Sequence, residues 1–405
     1  MRIIVWGINY APELIGIAPQ NVALCEFLAE RGHDVEMVAT FPYYPAWRKR
    51  SEDRGRLYRT DVVNGVRVRR CWHFVPAQVS RVKRILHEGT FVATSLLRAL
   101  FLRRPDVFVV VSPPLLLGVA AWLVGKVKGA PFVFHVQDLQ PDAAVGLGML
   151  KPSAFTRALY GLEAFAYRQA ARVSGITRGM LRTFQEKGVA PEKQVYFPNT
   201  IDLNSDGPER DSGDFRKRHR FPEDQFLAVY AGNLGVKQGL EILLETAALL
   251  RDSGIRFLIC GDGAQREALV ARATEMCLPN FSLLPLQPDR DYAALLRAAD
   301  LCFITQRAGA GNAFFPSKLL ALLAKAKPVV TVAAPQSDLA LALAEGNFGV
   351  NVPPERPEEL ARVLEALAKD PARLAEYGAA GRCYVEQFEK TRVLENFLGE
   401  LARVL

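Results

Sequence analysis

Short runs of β-branched and aromatic residues alternate along the chain with longer stretches whose apolar residues recur every three or four positions. The first pattern is that of buried strands, the second that of amphipathic helices. In the first half strands are expected at Ile3–Gly7, Asp34–Ala39, Val66–Arg70, Val107–Val111, Phe132–His135, Arg172–Gly175 and Val195–Phe197, with helices between them, for example Ala18–Arg31 and Ser153–Ala171. The second half repeats the scheme at Ala228–Tyr230, Arg256–Ile259, Phe281–Leu284, Leu301–Thr305, Val329–Val332 and Gly349–Val350. Strands that alternate with helices specify an α/β chain of two parallel, doubly wound sheets. The expected division is residues 1–203, a linker at 204–223 rich in charge with Gly, Pro and Ser, and residues 224–383. The periodic tail 384–405 is expected to pack back on the first domain.

The 405 residues exceed one typical core, and a half-apolar composition indicates an ordered, globular chain. The longest uncharged run, Val107 to Gly125, is long enough for a membrane span, but Ser112-Pro113-Pro114 splits it into a strand and a later helix. Met1-Arg2-Ile3-Ile4-Val5 reads at once as a buried strand with no signal peptide before it, so a cytoplasmic location is expected. Six scattered cysteines and five isolated histidines lack the spacing of a disulfide frame or a zinc site.

Charge is unevenly spread. Residues 1–200 carry 27 Lys and Arg against 15 Asp and Glu, whereas residues 201–405 carry 24 against 28. Much of the excess lies at 48–70 and 81–104, and in the second cluster Arg81, Lys83, Arg84, Arg98, Arg103 and Arg104 are interleaved with Ile85, Leu86, Phe91, Leu97 and Phe101. An amphipathic helix of that composition can lie on anionic lipid, so a peripheral position at the inner face of the cytoplasmic membrane is expected. No aromatic-basic or zinc-finger signature points to nucleic acid.

The segment Phe314-Phe315-Pro316-Ser317-Lys318 opens an apolar helix that Pro328 cuts off before a valine-rich strand. The first turn of a helix leaves N–H groups unpaired and carries partial positive charge, and Ser317 and Lys318 add a hydroxyl and a cation, so a diphosphate is the expected guest. Each domain also opens with a strand and a glycine-containing turn, at Gly7 to Gly16 and at Gly232-Asn233-Leu234-Gly235-Val236-Lys237-Gln238-Gly239. Neither matches the dinucleotide fingerprint or the P-loop.

Taken in order, Tyr10-Ala11-Pro12-Glu13 with Gly16, Arg31-Gly32-His33-Asp34-Val35, Asp138-Leu139-Gln140-Pro141-Asp142, Pro198-Asn199-Thr200-Ile201-Asp202, Ala231-Gly232-Asn233-Leu234-Gly235, Gly261-Asp262-Gly263 and Pro316-Ser317-Lys318 resemble the family-4 retaining glycosyltransferases of the GT-B fold, in the subgroup of colanic acid, exopolysaccharide and O-antigen synthesis. The resemblance covers nearly the whole chain. It implies that the second domain binds a nucleotide sugar and the first a saccharide acceptor, here one linked to polyprenyl diphosphate. Gly232, Asn233, Lys237, Gln238, Ser317 and Lys318 would surround the diphosphate, Leu286 would meet the base through its backbone, Gly261 and Gly263 would open the loop near the nucleoside, and Gly16 would touch the donor phosphates. Asp138 is the first candidate to orient or deprotonate the acceptor, followed by Glu13 and Asp142, while His135 belongs to the sheet. In such a reaction a donor phosphate oxygen can take the acceptor's proton, so no protein nucleophile and no metal or other cofactor is expected. Asp289-Arg290-Asp291 resembles a metal-binding D-x-D and is read as the cap of a helix beginning near Tyr292. The chain departs from the family where two glutamates flank the phosphate loop, having Ala313 and Ala321, and where a basic residue follows the first glycine of the second domain, having Asn233. A nucleotide-sugar-binding subunit without turnover and a nucleotide-sugar epimerase remain alternatives.

Overall fold

A computed structural model describes residues 1–13, 16–44, 46–78, 80–146, 148–204, 212–309 and 315–405, with backbone alone at Arg81, 212–214, Asp289 and Arg290. Its elements run in chain order β1 (Arg2–Trp6), α1 (Ala18–Glu30), β2 (Asp34–Thr40), β3 (Tyr58–Val63), β4 (Val66–Cys71), α2 (Arg81–Leu100), β5 (Val107–Ser112), α3 (Leu117–Lys128), β6 (Phe132–Val136), α4 (Gln140–Gly146), α5 (Ala154–Gln169), β7 (Arg172–Gly175), α6 (Arg178–Glu186) and β8 (Gln194–Tyr196). There follow α7 (Ser212–His219), β9 (Phe226–Asn233), α8 (Glu241–Leu249), β10 (Ile255–Asp262), α9 (Arg266–Glu275), β11 (Phe281–Leu284), α10 (Asp289–Ala298), β12 (Leu301–Thr305), α11 (Lys318–Ala324), β13 (Val329–Val332), α12 (Asp338–Gly346), β14 (Gly349–Val352), α13 (Pro357–Ala368), α14 (Pro371–Val385) and α15 (Lys390–Ala402). Two compact units result. One comprises residues 1–145, 150–200 and 390–405, the other residues 146–149 and 201–389.

The first unit's sheet has the order β3-β4-β2-β1-β5-β6-β7-β8. It departs from the all-parallel expectation at one edge, where β3 runs antiparallel to β4. The turn between them is Asn64-Gly65, both at positive φ (49° and 81°), a pair suited to a tight hairpin. β3 is half-exposed and charged, so the strand pattern of a buried run could not reveal it. Ile3, Val5, Val107 and Val109 pack in one core with Leu24 and Leu28 of α1 and Val393, Leu394, Phe397 and Leu401 of α15. Phe397 stacks on Phe197 with ring centroids 3.8 Å apart. The tail thus returns to the first unit from Lys390, whereas Tyr384 to Glu389 belong to the second.

The second unit's sheet, β11-β10-β9-β12-β13-β14, pairs in parallel throughout. Both its faces are buried, and β9 shows how: Leu227 and Val229 enter one core, Ala228 and Tyr230 the other. The stretch read as a linker contributes α7 to this unit. The guanidinium of buried Arg216 donates to the carbonyls of Pro222, Gln225 and Ala298 at 2.8–2.9 Å and pairs with Asp300 at 2.9 Å. Residues 205–211 lie outside the described residues. In each unit the strand order reverses beside the first strand, between β1 and β5 and between β9 and β12, and ligands of open α/β sheets bind beyond the carboxyl ends of strands at such a point.

Candidate functional site

At the carboxyl end of β9 the chain turns on Gly232, whose φ of +144° lies in the region that favours glycine. A Cβ there would stand 3.3 Å from the Lys318 ammonium, which reaches in from the first residue of α11. That ammonium lies 3.6 Å from the centroid of the Tyr230 ring, a cation–π contact, and no carboxylate pairs with it among the described residues. Burial pushes its pKa down to about 7, and the Cys302 thiol opposes the shift only in part. Tyr230 in turn donates its hydroxyl to the Asn233 carbonyl at 2.8 Å, tying the aromatic seat of the lysine to the turn.

The glycines of the neighbouring strand permit a close approach of backbones. A Cβ at Gly261 would fall 1.9 Å from the Gly232 carbonyl oxygen, and one at Gly263 would fall 2.6 Å from that of Leu234. The Leu234 N–H donates to the Asp262 carbonyl, and the Gln265 N–H to the Leu234 carbonyl, each at 2.8 Å. Val236–Gln238 form a single 3-10 turn ended by Gly239 at φ +60°. The Asn233 and Gln238 side chains converge over Gly235, and the Gln238 Oε1 is buried without a hydrogen-bond partner among the described residues. The Lys237 carbonyl accepts the Arg307 N–H at 2.9 Å, so the loops after β9 and β12 are laced together at the switch point. Sequence reasoning missed Tyr230 and Arg307. The available signal was an aromatic and a basic residue at the carboxyl ends of the two strands flanking the reversal.

Ser317 occupies the cap position of α11 in helical conformation, exposed and making no side-chain capping bond. Leu286 follows β11, half-exposed and two strands from β9, beside Pro285, whose carbonyl accepts from Gln287 at 2.8 Å. Ala321 lies within α11, and Ala313 outside the described residues. The D-x-D reading as a cap needs correction: α10 begins at Asp289 with Pro288 in the cap position, and Asp291 forms an ion pair with Arg218 at 3.1 Å.

In the first unit Gly16 has φ +70°, in the loop after β1. Glu13 is buried. Its Oε1 accepts the N–H groups of Tyr43 and Tyr44, each at 2.9 Å, and its Oε2 the Asn9 amide at 2.7 Å. Burial pushes the carboxyl up, while these donors and Arg70 act the other way, so Glu13 knits the loop after β1 to the loop after β2. Asp142 and Glu163 share the Lys187 ammonium, which joins α4 and α5 to the end of α6. Asp138 differs from both: it follows β6, is half-buried, and its carboxylate has no hydrogen-bond partner among the described residues. His135 is buried between Ser174 (2.9 Å) and Gln137 (2.8 Å), and burial pushes it down to about 3, which removes it from proton chemistry.

A ring cluster in this unit went unnoticed in the sequence. Tyr43 lies 4.9 Å from His73, 4.7 Å from His87 and 5.4 Å from Trp47, and Trp47 lies 5.2 Å from His87. Trp47 takes a left-handed φ of +49°, uncommon for a bulky residue, and with Tyr44 forms the half-exposed rim. Among the described residues neither ring nitrogen of His73 nor Nε2 of His87 has a hydrogen-bond partner, and burial lowers both imidazoles, as does repulsion from His87 for His73, against which the Cys71 backbone acts. Gln140, two residues after Asp138, donates to Glu88 of α2 at 3.3 Å, bringing the start of α4 to the helix that carries His87.

The chain matches the Glycosyl transferase 4-like domain over residues 16–200 and the Glycosyl transferases group 1 domain over residues 211–383. It is 33% identical to the putative colanic acid biosynthesis glycosyl transferase WcaI of Escherichia coli, over 99% of this chain and 100% of that protein. In fold it is similar to a sucrose-phosphate synthase of Thermosynechococcus elongatus (TM-score 0.76, 17% identity, 99% and 98% covered). It is also similar to HepE of Anabaena solved with UDP-glucose (TM-score 0.70, 17% identity, both chains fully covered).

Proposed function

Because the chain belongs to the glycosyltransferases of the 4-like and group 1 family, on the two-sheet GT-B fold, we propose that it moves a sugar from a uridine-diphosphate donor to a lipid-linked saccharide during synthesis of a cell-surface polysaccharide, with retention and without a metal. The observation that carries this is Lys318, an ammonium seated on Tyr230 against the Gly232 turn with no counter-anion among the described residues. A diphosphate supplies the missing charge. UDP is chosen because HepE, similar in fold, is described with UDP-glucose.

The chemistry follows from the leaving group. As the bond from the sugar's anomeric carbon to the β-phosphate oxygen breaks, negative charge grows on the diphosphate, and Lys318 with the Ser317 hydroxyl neutralises it. The acceptor hydroxyl bonds to the anomeric carbon on the face being vacated, and its proton passes to the departing phosphate oxygen. Asp138, whose carboxylate is unoccupied among the described residues, orients that hydroxyl. Glu13 and Asp142 take structural roles, one holding the loops beneath Tyr43 and Tyr44 and the other fixing α4. The half-exposed rings of Tyr44 and Trp47 offer a surface on which a sugar's C–H face can stack.

The test is thermal stabilisation by UDP, GDP, dTDP and their sugar conjugates, followed by transfer onto polyprenyl-diphosphate-linked saccharides. A ligand at a hundred times its dissociation constant stabilises by about 2.7 kcal/mol. A shift with UDP that Lys318→Met abolishes, together with a product keeping the donor's anomeric configuration, supports the reading. Binding without turnover on any acceptor would favour a sugar-nucleotide-binding subunit, and free epimer released without acceptor an epimerase.

A further inference from the structure

The basic first unit carries an apolar surface that its own core does not use. Along α2 and its cap the positions Ile85, Gly89, Ala93, Leu97 and Phe101 fall four apart and so form one ridge that winds along the exposed side of the helix for roughly 24 Å, advancing about 40° per step. Ile85 is 57% exposed, Leu97 52% and Phe101 85%, and a Cβ added at Gly89 would meet nothing within 4 Å. Val82 and Leu86 extend the stripe at its start, both more than half exposed. The opposite face is the buried one, holding His87, Phe91, Ser95 and Ala99. A helix with one apolar face in the core and a second in water has an unmet demand for cover.

The surface broadens at the end of α2. The Lys128 ammonium donates to the Leu100 and Leu102 carbonyls (2.9 and 2.6 Å) and Arg104 to the Gly129 carbonyl (2.8 Å), which sets the end of α3 beside Phe101. Val127 there is 67% exposed and Leu123, one turn back, 43%. On the other flank Tyr58 of β3 donates to the Thr94 carbonyl and Arg98 to the Thr60 hydroxyl. Val62, two residues on along the same face of β3, is 71% exposed. The rim is cationic. From 83 to 104 the chain has Lys83, Arg84, Arg98, Arg103 and Arg104 against one acid, Glu88, which Arg84 holds at 3.2 Å.

We propose that this face of α2, widened by the end of α3 and by Val62, is the surface by which the protein lies on an anionic bilayer, with Leu97, Phe101 and Val127 entering the headgroup boundary and the Lys and Arg rim holding lipid phosphates. Charge complementarity selects this occupant. A soluble partner or second copy covering a basic-rimmed apolar stripe would have to bring a matching acidic rim, and this chain's own first unit is strongly basic. No helix among the described residues is long and apolar enough to cross a membrane, so the contact is interfacial. The inference extends the reading of a lipid-linked acceptor, because a transferase lying on the bilayer meets its substrate in two dimensions.

The experiment is co-sedimentation of the full chain with phosphatidylcholine vesicles and with vesicles that also contain phosphatidylglycerol. Binding is expected only with the anionic lipid and is expected to fall with added salt. The double variant Leu97→Asp with Phe101→Asp should lose at least about tenfold in vesicle affinity, and Lys83→Gln with Arg103→Gln about fivefold per charge removed. Both variants should keep the parent's melting temperature and its thermal shift with UDP, since all four residues belong to the first unit, and Ser317 and Lys318 of the proposed donor site to the second. Undiminished vesicle binding by the aspartate variant, or binding to neutral vesicles equal to that on anionic ones, would overturn the proposal. So would a lipid-free dimer, seen by sedimentation equilibrium, that the same variant dissociates. Failure of the parent to bind UDP would strike at the donor reading and leave the vesicle result standing.

Discussion

A single side chain carries most of the chemistry inferred for the second unit, and its titration makes that measurable. The Lys318 pKa is lowered to about 7 in the free protein, and a bound diphosphate must raise it again. Below pH 7 the lysine is already charged and binding needs no extra proton. Above it, UDP binding takes up a proton and weakens by up to about tenfold per pH unit. Calorimetry at pH 8 in buffers of different ionisation enthalpy should therefore report proton uptake, and Lys318→Met should lose both the uptake and the affinity. The linkage for folding has the matching sign. Unfolded lysine holds its proton to a higher pH than the native residue, so native stability rises from about pH 7 upward and the buried charge is costly below it. Lys318→Met should accordingly melt higher than the parent at pH 6 while failing to bind UDP. The candidate acids of the first unit separate in the same way. Asp138→Asn should leave the melting temperature and the UDP shift unchanged and lower kcat about 10²-fold, because no partner of its carboxylate is lost. Glu13→Ala should instead orphan three donors and cost about 3 kcal/mol or more of stability. A Glu13→Ala variant that melts normally yet turns over no substrate would make Glu13 catalytic.

At the scale of elements, two places tell structure from function. Ser317 stands where a capping serine is expected, and removing a working cap costs about 0.5–2 kcal/mol; here the hydroxyl caps nothing. Ser317→Ala is therefore predicted to leave the thermal unfolding curve unchanged and to weaken UDP binding, whereas a lowered melting temperature with intact binding would return Ser317 to an ordinary cap. Gly261→Ala should do both at once, since its methyl would fall 1.9 Å from the Gly232 carbonyl oxygen and force β9 and β10 apart at their carboxyl ends. Elements of this kind were legible because they carry strong local signals: Pro328 stopping α11, Ser112-Pro113-Pro114 ending β5, valine-rich runs marking β5 and β13. The antiparallel partner β3 was not, because it is charged and half-exposed while β4, expected at Val66–Arg70, is mostly buried, and only Asn64-Gly65 betrays the hairpin. The tail was legible as a helix but not in its boundary, which hydrogen bonds set: the Ile201 N–H donates to the Phe388 carbonyl at 3.0 Å and keeps residues up to 389 in the second unit.

Across the whole molecule, periodicity reveals architecture and glycine placement reveals where a ligand can approach, but the division of labour among acids depends on contacts far apart in sequence. Glu13 reaches Tyr43 and Tyr44 thirty and thirty-one positions on, and Asp142 reaches Lys187 forty-five positions on. No local pattern distinguishes those carboxylates from Asp138. The ring cluster stayed hidden for the same reason, since Tyr43 and Trp47 meet His73 and His87 only once β2, β4 and α2 are assembled. Charge, by contrast, is a global property that the sequence displays directly, and it bears on the metal question. A divalent ion in a transferase holds and neutralises the diphosphate. Here an ammonium stands beside the turn that would receive that group, while Asp291, in the segment most like a metal-binding acid pair, is engaged by Arg218. Transfer is therefore expected to proceed in excess EDTA at the rate seen with magnesium, and to fall steeply in Lys318→Met whether or not magnesium is present. Activity abolished by EDTA and restored by magnesium or manganese would show that the cation doing this work is a metal, and would move the leaving-group role away from Lys318.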